Sequence, residues 1–375
     1  MHSIKPHSEF LIVEFLGEHK YNTSVMAVPL GTTGYYYELV MMESDYNSFE
    51  IQLFLWFRNI ISFCDSKNAE NLLPEMMKIY RQFKTHFSFP LREYILMEGI
   101  VELCYRINVS DSILVSQVLN LVYECCSSLG LLHRKALSKN CLRLIGYPKR
   151  RNEKQSFLTF FLEHSRRSKL QFKGERMIDV NFYATLRMSP VFVAAETGNW
   201  KTVLTYLQFG ARIEDVANPL SPMSHEHHLT LHDLLRSLIE RLWEKLVQPS
   251  VMLRNQREIE EYCQKLAPAV KNLCKTFAII LRAIRCLNRD CLDFMLYKES
   301  DEWTTEVSSR RILYHSTIFI MIPYLSKRYM QPDELQHGCR WVIRKRLNEN
   351  WQLPYGIRYL PVPSKIQRYL NLLSG

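Results

Sequence analysis

Apolar residues recur along most of this chain at three- and four-residue steps, the period of an amphipathic helix rather than the alternation of a strand. The pattern starts after about residue 46, where Phe49, Leu53, Trp56, Phe57, Ile60 and Ile61 share one helical face. It continues through Leu72–Phe83, Tyr94–Tyr105 and Ile113–Leu129, with Pro74, Pro90 and the Asn108–Asp111 stretch at or near the starts. These segments predict helices of about a dozen to seventeen residues joined by short connections. Residues 1 to about 45 differ. Phe10-Leu11-Ile12-Val13 and Tyr35-Tyr36-Tyr37 have strand-like composition, and Gly31-Thr32-Thr33-Gly34 is a turn signal, so the element type stays open there. The polar, basic stretch Lys149 to Lys154 predicts a surface connection that closes an N-terminal helical region of residues 1–150.

The segment Met177 to Ala211 carries the first specific motif. It contains Ser189-Pro190-Val191-Phe192-Val193-Ala194-Ala195-Glu196-Thr197-Gly198-Asn199, followed by Val203, Leu207 and Gly210-Ala211. Ser189 is suited to cap a first helix, and Pro190 fits its first turn, where no backbone donor is lost. Ala194 and Ala195 permit close helix approach. Gly198 suits a left-handed turn between helices and Gly210 the end of the second. This pattern resembles an ankyrin repeat, clearest over residues 186–215, with Phe192, Thr202 and Tyr206 as departures. One repeat cannot bury its own faces. The apolar-periodic stretches Leu229–Leu246 and Val270–Leu296 are therefore expected to continue the stack in degenerate form, giving an ankyrin-like region over 175–300. Pro219-Leu220-Ser221-Pro222 and the stretch His225 to His232 read as a loop between repeats.

Near the C-terminus, Leu335, Cys339 and Ile343 recur every four residues and form a stripe on a helix. Pro332 and two acids directly after it make a good helix start. Further on, Pro361 and Pro363 force an extended approach, after which Ile366, Tyr369 and Leu370 give a short helix with one apolar face. The run Pro332, Leu335, Cys339, Arg340, Ile343, Arg344 resembles the elongin-binding half of a SOCS box. The run Leu360-Pro361-Val362-Pro363, Ile366, Tyr369, Leu370 is similar to its cullin-binding half. Gly338, before the cysteine, departs from good helix chemistry and costs about 1 kcal/mol against Ala. Joined to the ankyrin-like segment, this box, over 328–375, is similar to that of the ankyrin repeat and SOCS box proteins.

The resemblance implies a fold and a role. The fold is all-α: a helical N-terminal region, a degenerate ankyrin stack and a three-helix SOCS box. The role is substrate recognition for a cullin–elongin ubiquitin ligase. Elongin C, with elongin B, would take the ridge of Pro332, Leu335, Cys339, Arg340 and Ile343, with Leu335 as anchor and Cys339 as a small hydrophobe. A cullin of the fifth type, with its RING subunit, would take Leu360, Pro361, Val362, Pro363, Ile366, Tyr369 and Leu370. A client protein, which the sequence does not identify, would be held by the ankyrin and helical region. The alternative is a SOCS-box scaffold that binds and stabilises a signalling partner instead of directing its degradation.

Composition narrows the competing chemistries. The 375 residues are 47% hydrophobic and carry only 12 glycines, which argues against glycine-loop nucleotide binding. No dinucleotide-binding, P-loop or nucleophile-elbow motif occurs, so neither a cofactor nor a catalytic residue is expected. The net charge of +10 invites nucleic acid, yet the basic clusters Lys149–Arg151, Arg166–Lys169 and Arg344–Arg346 are scattered and read as solvated faces. His225-Glu226-His227-His228 and His232 lack the spacing and completing ligands of a metal site, so no metal is expected. Ten cysteines without a C-x2-C pair, mostly in apolar helical stretches, fit reduced buried thiols. The N-terminus lacks signal-peptide character, and the longest apolar run, Ile312 to Leu325, is too short to span a bilayer. A cytoplasmic location is the expectation.

Overall fold

The computed structural model describes residues 10–16, 23–29, 38–40, 66–83, 90–126, 128–137, 156–180, 188–213, 231–246, 256–285, 317–323, 325 and 334–373. The expected helix around Phe49–Ile61, the Lys149–Lys154 connection, the histidines 225–228 and Pro332 lie outside these residues. The described elements are predominantly helical and divide into two units, residues 1–174 and 175–375.

In the first unit Phe10–Val13 falls in a strand, β1 (Phe10–Leu16), joined by β2 (Thr23–Pro29) and β3 (Glu38–Val40), while Gly31–Gly34 and Tyr35–Tyr37 lie outside the described residues. β1 is central, antiparallel to β2 with Phe10 opposite Pro29, and parallel to β3 with Ile12 opposite Glu38. The helices are α1 (Ser66–Phe83), α2 (Pro90–Arg106), α3 (Ser112–Cys126), α4 (Gly130–Leu137) and α5 (Phe157–Arg167). Pro74 does not sit near the start of α1. The helix begins eight residues earlier and runs through it. An interior proline costs about 3 kcal/mol, and here it is offset by burial of Leu72, Leu73, Met76, Met77 and Tyr80 around it. α2 packs on α1, α3 and α5, and α3 packs on α1 and α5. Their shared core includes Met97, Ile100, Val101, Val118, Leu119, Phe160 and Phe161. A buried Glu102–Arg106 pair at 2.6 Å lies within α2.

The second unit is built from α6 (Pro190–Glu196), α7 (Trp200–Gln208), α8 (Leu231–Leu246), α9 (Gln256–Lys265) and α10 (Pro268–Ala283), followed by α11 (Leu335–Glu349), a 3-10 turn (Tyr355–Tyr359) and α12 (Ser364–Leu370). The α6–α7 pair forms as its residues dictate. The Ser189 hydroxyl accepts from the Phe192 N–H at 3.2 Å, and Pro190 occupies the first turn. Gly198 turns the chain at φ +67° and Asn199 caps α7. Ala194, Ala195, Val203 and Leu207 are buried, and so are the departures Phe192, Thr202 and Tyr206, which therefore pack as core. α10 lies against α6, α7 and α8, and α8 also contacts α6.

Candidate functional site

The geometry of α11 sets it apart. At 100° per residue, His337, Arg340, Arg344 and Leu347 fall on one side and Leu335, Cys339 and Val342 on the other. The first set is buried: Arg340 is 1% exposed and His337 2%. The second set faces outward: Leu335 is 84% exposed and Val342 59%, and the Cys339 thiol is exposed and free. Over residues 335–344 the helix thus buries polar side chains and displays apolar ones, the reverse of an ordinary surface helix.

Burial of these cations requires acceptors, and helix ends supply them. The last carbonyls of a helix lack intrahelical partners and sit at the negative end of its dipole. Arg344 reaches two such ends at once. Its Nη1 donates to the Leu370 carbonyl at the end of α12 at 2.7 Å, and its Nη2 donates to the Leu207 carbonyl in the last turn of α7. Burial, and then the neighbouring charge of Arg340, lower Arg344 to about 9, which leaves it charged at neutral pH. His337 Nε2 contacts the Ile284 carbonyl, just past α10, at 2.6 Å. A carbonyl only accepts, so Nε2 carries the proton and Nδ1 is left to accept from Arg340 Nη2 at 2.6 Å. The Arg340 guanidinium also stacks 4.2 Å from the Tyr369 ring centroid.

A second set of polar contacts secures the far part of the helix. Asn348 Nδ2 donates to the Gly210 carbonyl at 3.1 Å, and Arg176 donates to the same carbonyl at 2.7 Å and to Asn348 Oδ1. Gly210 has φ +87°, and a Cβ there would collide with the Asn348 side chain. The glycine expected as a helix terminator therefore also admits α11. Behind the helix, Leu347, Leu353, Ile357 and Leu370 form a small core with Ile343, Leu360, Val362 and Ile366 packed against it.

The residues singled out in the sequence consequently separate. Leu335 and Cys339 project outward, while Ile343 is only partly buried and leans on the internal core. Arg340 faces inward. Pro361 and Pro363 are exposed, Leu360, Val362, Ile366 and Tyr369 are half-buried, and Leu370 is buried. Two outward apolar side chains escaped the sequence reading: Val342 and Tyr359, the latter 86% exposed. The seven-residue step from Leu335 to Val342 was the available signal for the first. Among the described residues, no group of three metal-ligating side chains assembles, and no helix is long and apolar enough to cross a membrane.

Comparison with known proteins bears on this region. The SOCS box family matches residues 331–371. The chain is similar to ankyrin repeat and SOCS box protein 17 of human, 45% identical over 71 residues, which is 19% of this chain and 23% of that protein. The dog protein of the same name is 51% identical over 49 residues, 13% of this chain and 17% of the relative. The matched stretch thus spans less than a quarter of these relatives' length. No solved structure matches the chain. Together the family match and the named relatives support membership of the ankyrin repeat and SOCS box family.

Proposed function

We propose that this member of the ankyrin repeat and SOCS box family is a substrate-recognition adaptor of a cullin–elongin ubiquitin ligase. The observation that carries the reading is the outward apolar ridge of α11, formed by Leu335, Cys339 and Val342 on a helix whose inner side is already occupied. Displaying such side chains to water on a helix locked at three other helix ends is costly unless a partner covers them. An elongin C groove, with elongin B, is the occupant that the SOCS-box match suggests. Pro332 would also belong to the elongin contact, while Arg340 and Ile343 would act from behind by holding the helix in place.

The exposed Tyr359, Pro361 and Pro363 form the neighbouring surface on which a cullin of the fifth type, with its RING subunit, would rest. Leu360, Val362, Ile366 and Leu370 support that loop from within, and Tyr369 braces Arg340. The α6–α10 group would hold the client and raise its effective concentration at the transferring enzyme. The chain's own contribution is position, not bond chemistry.

The test uses the purified full-length chain with purified elongin B and C. Leu335→Asp combined with Cys339→Asp should cut elongin recovery at least about 100-fold, since two buried anchors contribute about 2 kcal/mol or more each. The melting temperature should stay as it was, because neither side chain is part of the chain's own core. Unchanged recovery would rule the reading out.

A further inference from the structure

The helices that receive α11 carry a different kind of surface away from the ends that meet it. Trp200 opens α7 and is half-buried. Two ammonium groups from different helices share its ring: Lys201 Nζ lies 5.7 Å from the centroid and Lys275 Nζ, on α10, lies 5.3 Å from it. Both lysines are exposed, and neither forms an ion pair among the described residues. Glu196, at the end of α6, is committed elsewhere, to the Ser237 hydroxyl and, at 3.3 Å, to Arg241.

Two like charges over one indole do little for the fold. An exposed cation–π contact contributes about 0.5–1 kcal/mol, and the mutual repulsion of the ammonium groups works against it. Carboxylates arriving at these ammonium groups offset that repulsion and gain charge-assisted hydrogen bonds, while the ring offers apolar area for the stems that bear them. The layout also leaves the site accessible in an assembled ligase. Trp200 and Leu207 are separated by about 10 Å along the axis of α7, and only the Leu207 end receives Arg344. On α10, likewise, Lys275 lies mid-helix and Ile284, which receives His337, lies past the end.

We propose that Trp200, Lys201 and Lys275 form a recognition site for an acidic, carboxylate-rich segment of a client protein. The client's role rests on the adaptor reading, whereas binding of the segment does not. The test is a titration of a fluorescein-labelled peptide of six glutamates with the full-length chain, read by anisotropy at constant ionic strength. Lys201→Glu with Lys275→Glu should weaken binding at least about tenfold, and Trp200→Ala by about threefold. Arg257→Glu with Lys265→Glu, the same change in net charge on α9, should shift it less than about twofold. Circular dichroism of each variant should match the parent.

Equal weakening by both double variants would mean attraction by net charge alone and would overturn the proposal. So would an absence of peptide binding by the parent chain, or tighter binding of a phosphoserine peptide or a single-stranded oligonucleotide than of the glutamate peptide. Elongin recovery by Lys201→Glu with Lys275→Glu should equal that of the parent. Loss of elongin capture in the parent with peptide binding intact would remove the adaptor reading and leave this site standing.

Discussion

Helices α10 and α11 differ by one residue in length and follow opposite rules. α10 buries Val270, Leu273, Cys274, Phe277, Ile280 and Leu281 and leaves Lys275 in water, as a helix facing a core should. α11 buries His337, Arg340 and Arg344 and leaves Leu335, Cys339 and Val342 in water. The difference shows that the direction of a helix's apolar face is decided by what it meets. α10 meets the side chains of α6, α7 and α8. The inner face of α11 meets the carbonyl ends of α7 and α12 and the backbone just past α10, which favour cations and donors over hydrocarbon. Its apolar side chains Leu335, Cys339 and Val342 are thereby left in water.

The contrast can be broken most directly by truncating one apolar residue on each helix. Phe277→Ala should cost about 3–5 kcal/mol in chemical denaturation, while Leu335→Ala should stay within about 0.5 kcal/mol. A comparable loss at both sites would mean that the α11 ridge belongs to the core after all. Arg344→Ala should cost about 2–3 kcal/mol, because it removes two hydrogen bonds and leaves the Leu370 carbonyl without this donor, while the Leu207 carbonyl keeps the Gly210 N–H. Hydrogen exchange should rise across residues 334–373 more than in α10. A uniform rise would show that the two helices are not separately anchored.

Two glycines sharpen the same point with smaller effects of opposite sign. Gly210→Ala should destabilise by about 1–3 kcal/mol, through its left-handed backbone and the Asn348 side chain in its way. Gly338→Ala should stabilise by up to about 1 kcal/mol, since a Cβ at that helical position meets nothing within 4 Å. If both substitutions destabilise to the same degree, the packing described for α11 is wrong. Denaturation midpoints of the two variants decide it.

Much of this architecture was legible beforehand for a local reason. Ser189, Pro190, Gly198 and Gly210 specify caps and turns whose physics lies within a few residues, and they adopt the expected roles. The C-terminal box was recognisable because spacing along a helix fixes which side chains share a face. Pro74 misled because a proline is a helix-start signal only when burial nearby is weak, and the apolar side chains around it are fully buried. Of the strands, only Phe10–Val13 was legible, in composition alone, and Thr23–Pro29 was not, since the pairing that makes them a sheet joins residues as far apart as Phe10 and Pro29.

The sequence by itself determined which residues of α11 lie together: Leu335 with Cys339 and Val342, Arg340 with Arg344 and His337. Helical periodicity is a property of the local backbone. Which of those two faces turns inward was decided only by the tertiary structure. The acceptors for Arg344 come from residues 207 and 370 and the acceptor for His337 from residue 284, and no local pattern brings those carbonyls to one place. Apolar side chains point to the interior by default, so the reversal needed the helix ends themselves.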